Sequence, residues 1–565
     1  MKVTSSPTPS IVHGPPLAEE PGLGALTLPG YLREVTERYA EREALVFHHP
    51  DGTVERWSYA DLWERAMGVA RALAALGIGK DSRVGVMMTN RPEWLAAVFG
   101  VGLAGGVAAT ISTFSTPAEL EYLLQTAGVS TLLFEGQVLK KDFAAILAEL
   151  EPAIATARPG ELASAKFPFL RSLAVVGAGG GGAIEAWPAF LSRGETVSTQ
   201  LVQARADAVT PADAGMLFFS SGSTGKPKGV LSAHRGVTIQ CWRWSRMLDL
   251  GDDVRAWCAN GFFWSGNFGG VLGATLSSGG SLVLQATFDP AEALRLMEAE
   301  RVTRAFAWPH QYEQLEAAAN WREVDLSSLR YVDPRNRLGH HPTVSTTWFE
   351  PNEGYGNTET FTLSAAFPSN TPRELAEGSY GQALPGNTLK IVDPLTGATV
   401  PRGERGEIAV KGPTLMLGYL GVPLSETLDD EGFYRTGDGG WIDDRERLIW
   451  EGRLNDIIKT GGANVSPLEV DEVLESHPGV KVSRTVGVPH DSLGEMVVAC
   501  VVPREGASLD EGEIREFLKT RLASYKVPRR ILLVGEADLT LTGSAKVKLG
   551  DLRDLAIKRL DGAGG

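Results

Sequence analysis

The sequence predicts an α/β protein with a large N-terminal domain of parallel sheets flanked by helices and a small C-terminal α/β domain. Three observations carry this prediction. The chain has 565 residues, too many for one compact core. From about Leu28 onward, short apolar strand-like runs alternate with amphipathic helix-like stretches, which implies parallel sheets covered on both faces. Near Gly452-Arg453-Leu454-Asn455-Asp456 the pattern restarts, and the roughly 110 residues beyond suffice for a separate domain.

Along the chain, residues 1 to about 25 are rich in Pro, Ser and Thr and lack an apolar run. They are expected to form a disordered leader rather than a signal peptide. The N-terminal domain then covers residues 26–453. Within it Tyr31 to Tyr39 reads as an amphipathic helix, Ala44 to Phe47 as a strand and Tyr59 to Leu76 as a helix with small residues for close packing. Val84 to Met88 is a buried strand, and Pro92 sits in the first turn of the helix that follows. Two uncharged stretches, Trp94 to Pro117 and Ala256 to Phe288, are interrupted by glycines and polar residues. They are expected as buried helix–turn–strand segments, not membrane spans. Gly177 to Gly182 reads as a surface turn. Residues 454–456 join the domains, and residues 457–565 form the second one. It carries a helix from Leu468 to Ser476, strands over Val482 to Val488 and Val497 to Val502, and a helix from Glu511 to Leu522.

Composition narrows the class. Hydrophobic content of 43% with 22% charged residues is ordinary for a water-soluble globular protein. Fifty-four basic against 69 acidic residues give a net charge of −15, which argues against nucleic acid as the partner. Three cysteines form neither a disulfide framework nor a metal-ligand set, which fits a reducing cytosol, so a cytoplasmic location is expected.

Ser220-Ser221-Gly222-Ser223-Thr224-Gly225-Lys226-Pro227-Lys228-Gly229 follows the apolar run Met216 to Phe219. Glycines let backbone N–H groups converge into a nest that suits phosphate oxygens, the hydroxyls add donors and Lys226 and Lys228 add charge. Pro227 after Lys226 excludes the phosphate loop of NTPases, which needs Ser or Thr there. By composition alone the stretch fits a surface turn equally well. Farther on, Phe262, Phe263, Trp264 and Phe268 offer apolar walls, while Gly266, Gly269, Gly270 and Gly273 leave room. This cluster suits a pocket for an apolar ligand or, equally on composition, a core of aromatic rings.

The order of residues in the Ser220 segment resembles the signature loop of the adenylate-forming (ANL) superfamily, with Ser223 in place of the commoner Thr. That superfamily includes acyl-CoA synthetases, adenylation domains and beetle luciferases. Further motifs follow in the family's order. Tyr355-Gly356-Asn357-Thr358-Glu359 matches its Tyr-Gly-x-Thr-Glu. The resemblance implies that Glu359 holds Mg²⁺, Thr358 meets a phosphate oxygen and Tyr355 flanks adenine. Tyr434-Arg435-Thr436-Gly437-Asp438 matches the next motif, where Asp438 would accept both ribose hydroxyls. Arg453 stands at the family's Gly-Arg pair and would contact ribose or phosphate. Lys459 to Asn464, with Gly461 and Gly462, would line the pantetheine channel in the thioester-forming pose. In Leu541 to Lys548, Lys546 takes the place of the lysine that bridges the acyl carboxylate and the α-phosphate, with Lys548 as its neighbouring candidate. In this family the small C-terminal domain swings about a hinge, here Asn455.

The resemblance therefore implies an acyl-CoA synthetase that uses ATP, Mg²⁺ and CoA to convert a bulky apolar carboxylic acid into acyl-CoA through an acyl-adenylate. Three departures touch the first half-reaction. Asp333 to Pro342, with Arg335, Arg337, His340 and His341, replaces a stretch of small residues beside adenine. Asn455 replaces the usual Asp or Lys, and Ala545 the usual Gly. These leave open a variant that only transfers an acyl-adenylate supplied by a separate adenylating enzyme. A ligase for acyl-carrier protein, a non-catalytic acyl or nucleotide binder and a homodimer also remain open.

Overall fold

A computed structural model describes residues 8–220, 227–350, 354–456, 458–460, 463–490, 493–522, 526–540 and 547–561. The chain folds as two compact units. One comprises His13–Leu389 and Val410–Tyr434, the other Met1–Val12, Lys390–Ala409 and Arg435–Gly565. This division differs from the expected one at residues 453 and 454, because the strands just before Arg453 group with the C-terminal residues.

The larger unit contains an eight-stranded sheet in the order Ile184–Ala186, Ser172–Val176, Thr131–Glu135, Arg83–Met87, Val107–Thr110, Ala214–Ser220, Lys228–Ala233, Gly418–Tyr419. Its first six strands are mutually parallel, and the last two pairings are antiparallel. A second sheet runs Arg304–Phe306, Arg255–Cys258, Ser281–Leu284, Glu43–His48 and Val54–Ser58, parallel except at its last pair. The central strands are apolar on both faces, as strands covered on both sides must be. Val84 and Val86 point into a core shared with Leu45, Phe47, Leu282 and Leu284 of the second sheet. Met87 points the other way, to a core with Leu132, Phe134, Phe143 and Leu217. Each fully buried Phe in these layers contributes about 1.5–3 kcal/mol relative to exposure.

The helices form where local chemistry starts them. Leu28–Arg38 begins three residues before the expected Tyr31, because the Thr27 hydroxyl accepts the Gly30 N–H at 3.1 Å and Pro29 suits a first turn. Tyr59–Ala75 starts on a reciprocal Ser58–Asp61 capping box. Pro92–Leu103 is buried on almost every side. A Cβ on Gly100 would stand 2.7 Å from that of Val69, so this glycine sets the close approach of the two helices. The two uncharged stretches are helix–turn–strand segments, as expected, and no helix among the described residues is long and apolar enough to cross a membrane.

Of the expected disordered leader, the described residues 8–25 include ordered structure. Ile11–His13 is a strand beside Thr388–Val392. Glu20 makes two hydrogen bonds of 2.7 Å to Arg243, and the two side chains are 7% and 1% exposed. A Pro-rich segment favours extended backbone, which suits a sheet edge, and the buried guanidinium supplies the anchor that composition does not reveal.

The smaller unit contains the sheet of Ile11–His13, Thr388–Val392, Gly406–Lys411, Tyr434–Ile442 and Leu448–Arg453, whose strands run partly into residues of the larger unit. It also contains a sheet ordered Ala463–Val465, Ile458–Thr460, Gly494–Pro503, Val480–His490, with Arg530–Leu533 parallel to Gly494–Pro503. Helices Pro467–Glu475, Glu511–Lys519 and Leu549–Asp561 accompany it, and the expected elements recur with longer strands. In its interior Asp471 accepts hydrogen bonds from the Ser483 and Thr485 hydroxyls at 2.9 and 2.7 Å, and burial pushes its carboxyl up to about 6.

Candidate active site

In the larger unit, the strand Ala214–Ser220 ends at Ser220, whose ladder partner is Lys228. The chain between them carries Ser221, Gly222, Ser223, Thr224, Gly225 and Lys226, which lie outside the described residues. Ser220 donates its hydroxyl to Glu359 Oε1 at 3.1 Å. Tyr419, placed by its pairing with Val230 in the same sheet, donates to the same oxygen at 2.7 Å. Glu359 is 7% exposed, and Oε2 carries no hydrogen bond from the described residues. Two hydroxyls thus hold one carboxylate oxygen and orient the other. The Tyr434 hydroxyl lies 3.0 Å from that of Tyr419, and the Lys228 ammonium stands 4.8 Å from the centre of the Tyr419 ring. Burial and the Glu359 carboxylate push the Tyr419 phenol far up, so it stays a donor. No sequence motif marked Tyr419.

Glu359 sits in the short helical turn Thr358–Thr360. Asn357 Oδ1 accepts the Thr360 N–H at 3.0 Å, and Thr360 Oγ1 accepts the Asn357 N–H at 3.1 Å. Phe361 and Thr362 follow with φ of 43° and 76°. Two non-glycine residues in the left-handed region cost about 1–3 kcal/mol each, and the reciprocal cap offsets part of this. Their reversal lets the strand Thr362–Ala366 run back beside Tyr355–Asn357. Tyr355 is buried on that short strand.

Thr358 opens onto a cavity of about 390 Å³, also lined by Gly266, Trp244, Met247, Leu248, Leu363, Phe367 and Glu350. Of the residues expected as pocket walls, Gly266 lines this cavity. Phe268 does not. It is fully buried between Trp94, Phe218 and Phe361, with ring centres 6.0–6.2 Å away. Phe263 packs on Phe114 and Trp264 instead. The aromatic wall is Trp244, which sequence reasoning missed. A Cβ on Gly269 or Gly270 would stand 3.4 Å from the Trp244 ring, so the glycine run of the wide turn Phe268–Gly273 is the signal that could have found it.

The unusual arginines turn to local acids. Arg335 pairs with Asp333 at 2.7 Å, and Arg337 reaches Glu313 at 3.0 Å and Glu316. His341 packs on Trp321 and its Nε2 is hydrogen-bonded to the Trp321 carbonyl at 2.6 Å. None of these side chains lines the cavity.

In the smaller unit, Asp438 is the ladder partner of Arg453, and the guanidinium Nε stands 3.1 Å from Asp438 Oδ1. Asp438 is 4% exposed while the Arg453 side chain is 52% exposed, so a buried acceptor is matched by a reachable donor. Thr436 fixes the strand here, accepting the Asp438 N–H at 3.1 Å and donating to the Ile408 carbonyl at 2.8 Å. Lys459 is exposed on Ile458–Thr460, its N–H donating to Glu495 at 3.0 Å. The turn Leu454–Asp456 contains Asn455, whose side chain lies outside the described residues, as do Gly461, Gly462 and Lys546. Lys548 is exposed, just before the helix Leu549–Asp561.

For Mg²⁺, the donor chemistry fits. A hard cation accepts few protein oxygens when phosphate and water supply the rest, and the buried Glu359 carboxylate, with Oε2 left open, is such a donor. No group of three or more His, Cys, Asp or Glu able to hold a metal occurs among the described residues.

A family model described as AMP-binding enzyme matches residues 32–420, and one described as AMP-binding enzyme C-terminal domain matches residues 469–546. The chain is similar to a feruloyl-CoA synthase from Amycolatopsis sp, 32% identical over 510 residues that cover 88% of this chain and 93% of that protein. It is also similar to a mitochondrial medium-chain acyl-CoA ligase from Danio rerio, 28% identical over 585 residues that cover 98% and 91%. Among solved structures it resembles the anthranilate CoA ligase AuaEII in complex with anthranoyl-AMP, with a TM-score of 0.76, 25% identity, and 96% and 98% of the two chains covered.

Proposed function

This chain belongs to the family of AMP-binding enzymes, and on that premise we propose that it is an AMP-forming acid–thiol ligase that joins a carboxylic acid to CoA through an acyl-adenylate. The observation that supports this most is the buried Glu359 carboxylate, oriented by Ser220 and Tyr419 next to the cavity that Thr358 lines. In the first half-reaction a carboxylate oxygen of the acid attacks the α-phosphorus of ATP and pyrophosphate leaves. In the second the CoA sulfur, having lost its proton, attacks the acyl carbonyl and AMP leaves.

Each residue then has a task. The Ser221 to Lys226 loop and Lys228 bind the triphosphate. Glu359 would hold Mg²⁺, which neutralises phosphate charge when bound. Tyr355 packs on adenine, and Asp438 accepts the ribose hydroxyls with Arg453 beside it. Lys546 orients the reacting carboxylate and opposes the charge that builds on the α-phosphate. Lys459, Gly461 and Gly462 serve the thioester pose, reached by turning at Asn455. A cavity of about 390 Å³ with Trp244 as a wall suits an aryl acid better than a long unbranched chain. The feruloyl and anthranilate activities of two relatives support that preference.

Two assays on one panel of aryl acids test the reading. One follows pyrophosphate release from acid, ATP and Mg²⁺; the other follows thioester from synthetic acyl-adenylate and CoA. The expected result is activity in both, with Lys546→Ala losing at least about a hundredfold in the first. Thioester from the supplied adenylate alone would instead assign the chain to transfer only, and silence in both would overturn the ligase reading.

A further inference from the structure

Among the described residues, Glu350 is the one acidic side chain on the wall of the cavity that Thr358 lines. Its backbone is fixed from two sides: the N–H donates to Asp333 Oδ2 at 3.3 Å, and the carbonyl accepts from Arg335 Nη2 at 3.1 Å. Arg335 in turn lies 4.5 Å from the centre of the Phe349 ring. The anchoring belongs to the segment that departs from the family pattern. The Glu350 carboxylate itself has no hydrogen-bond or ion-pair partner among the described residues. Arg304 is buried and donates Nη1 to the Gly270 carbonyl at 2.8 Å; its charge and that of Arg335 act on the Glu350 carboxylate through space. The cavity is otherwise lined by the apolar Trp244, Met247, Leu248, Leu363 and Phe367 and by the neutral polar Ser265, Asn357, Thr358, Thr362 and Ser369.

We propose that Glu350 is a specificity residue of this ligase, selecting acids whose remote end carries a neutral hydrogen-bond donor, such as a phenol hydroxyl or aromatic amine. The inference rests on the acid–thiol ligase reading. A bare hydrocarbon end would strip water from Glu350 and return nothing, whereas a hydroxyl would satisfy it. A second carboxylate on the substrate would face a like charge. Burial pushes the Glu350 carboxyl up, and the Arg304 charge opposes that shift. A site built around a substrate hydroxyl discriminates against the analogue lacking it far more than an apolar pocket discriminates a methylene.

The test uses the full chain and three probes of one shape: cinnamate, 4-hydroxycinnamate and 4-carboxycinnamate. Binding is measured by calorimetry without ATP, and kcat/KM by pyrophosphate release. The wild type is expected to favour 4-hydroxycinnamate over cinnamate by about tenfold or more and to reject 4-carboxycinnamate. Glu350→Leu should bring the hydroxyl preference to within about threefold, and the near-isosteric Glu350→Gln should keep part of it and admit 4-carboxycinnamate better. An unchanged ratio in both variants, a wild-type preference for cinnamate, or binding of none of the three probes would overturn the proposal. Discrimination in calorimetry with no pyrophosphate from any probe would remove the adenylation step from the ligase reading and leave Glu350 as the selector of the bound acid.

Discussion

Replacing Tyr419 with Phe isolates the force that orients Glu359. The hydroxyl donates to a buried carboxylate at 2.7 Å, and among the described residues only Ser220, at 3.1 Å, donates to the same oxygen. A hydrogen bond to a charged group is worth about 1.5–3 kcal/mol, and about 1.4 kcal/mol is a factor of ten. Tyr419→Phe should therefore lower pyrophosphate release by about 10- to 150-fold. The ring remains, so the Lys228 cation keeps its aromatic neighbour. The hydroxyl of Tyr434 also loses a partner, so Tyr434→Phe is the control, and its effect should be smaller. The assay titrates Mg²⁺ at saturating ATP and compares release with thioester formation from supplied acyl-adenylate. Only the first should fall, and the Mg²⁺ dependence should move to higher concentration. Ser220→Ala combined with Tyr419→Phe should be non-additive, because both donors serve Oε1. A change below about twofold, or an equal fall in both assays, would refute the claim that Tyr419 positions Glu359.

Two further outcomes concern stability. Glu20→Gln leaves Arg243 buried without its anion, and breaking a buried pair in this way costs about 3–5 kcal/mol; thermal denaturation should show a large drop in Tm, and an unchanged Tm would mean that the N-terminal segment is not anchored there. Asp471 has a folded pKa of about 6, above its ordinary value of 3.8, so folding favours its protonated form. Its contribution is most favourable below about pH 4 and weakens as pH rises to about 6, by on the order of 2–3 kcal/mol. Asp471→Asn keeps an acceptor for Ser483 and Thr485 and should stabilise the protein at pH 8 while flattening that pH dependence in urea denaturation; destabilisation at pH 8 would show that the ionised carboxylate is the form the fold prefers.

Much of this protein was legible in its sequence because the relevant physics is short-ranged. Runs such as Val84 to Met88 can only be strands buried on both faces, and Pro92 can only open a helix. Thr358-Glu359 and Thr436-Gly437-Asp438 are identified by neighbours a few positions away. What the sequence left undecided depends on partners far along the chain. Pro-rich composition suggested disorder for a segment that Arg243 holds from 223 residues away. Aromatic content drew attention to Phe268, whereas the aromatic ring lining the cavity beside Thr358 is Trp244, because which ring faces a cavity is settled by how the turn Phe268–Gly273 packs. Tyr419 meets Glu359 across 60 residues because the register Val230↔Tyr419 sets it beside the strand that ends in Ser220. Local pattern determined the elements and the order of the motifs. Sheet register and side-chain packing decided which groups meet, since a hydrogen bond acts over about 3 Å of space regardless of separation in sequence.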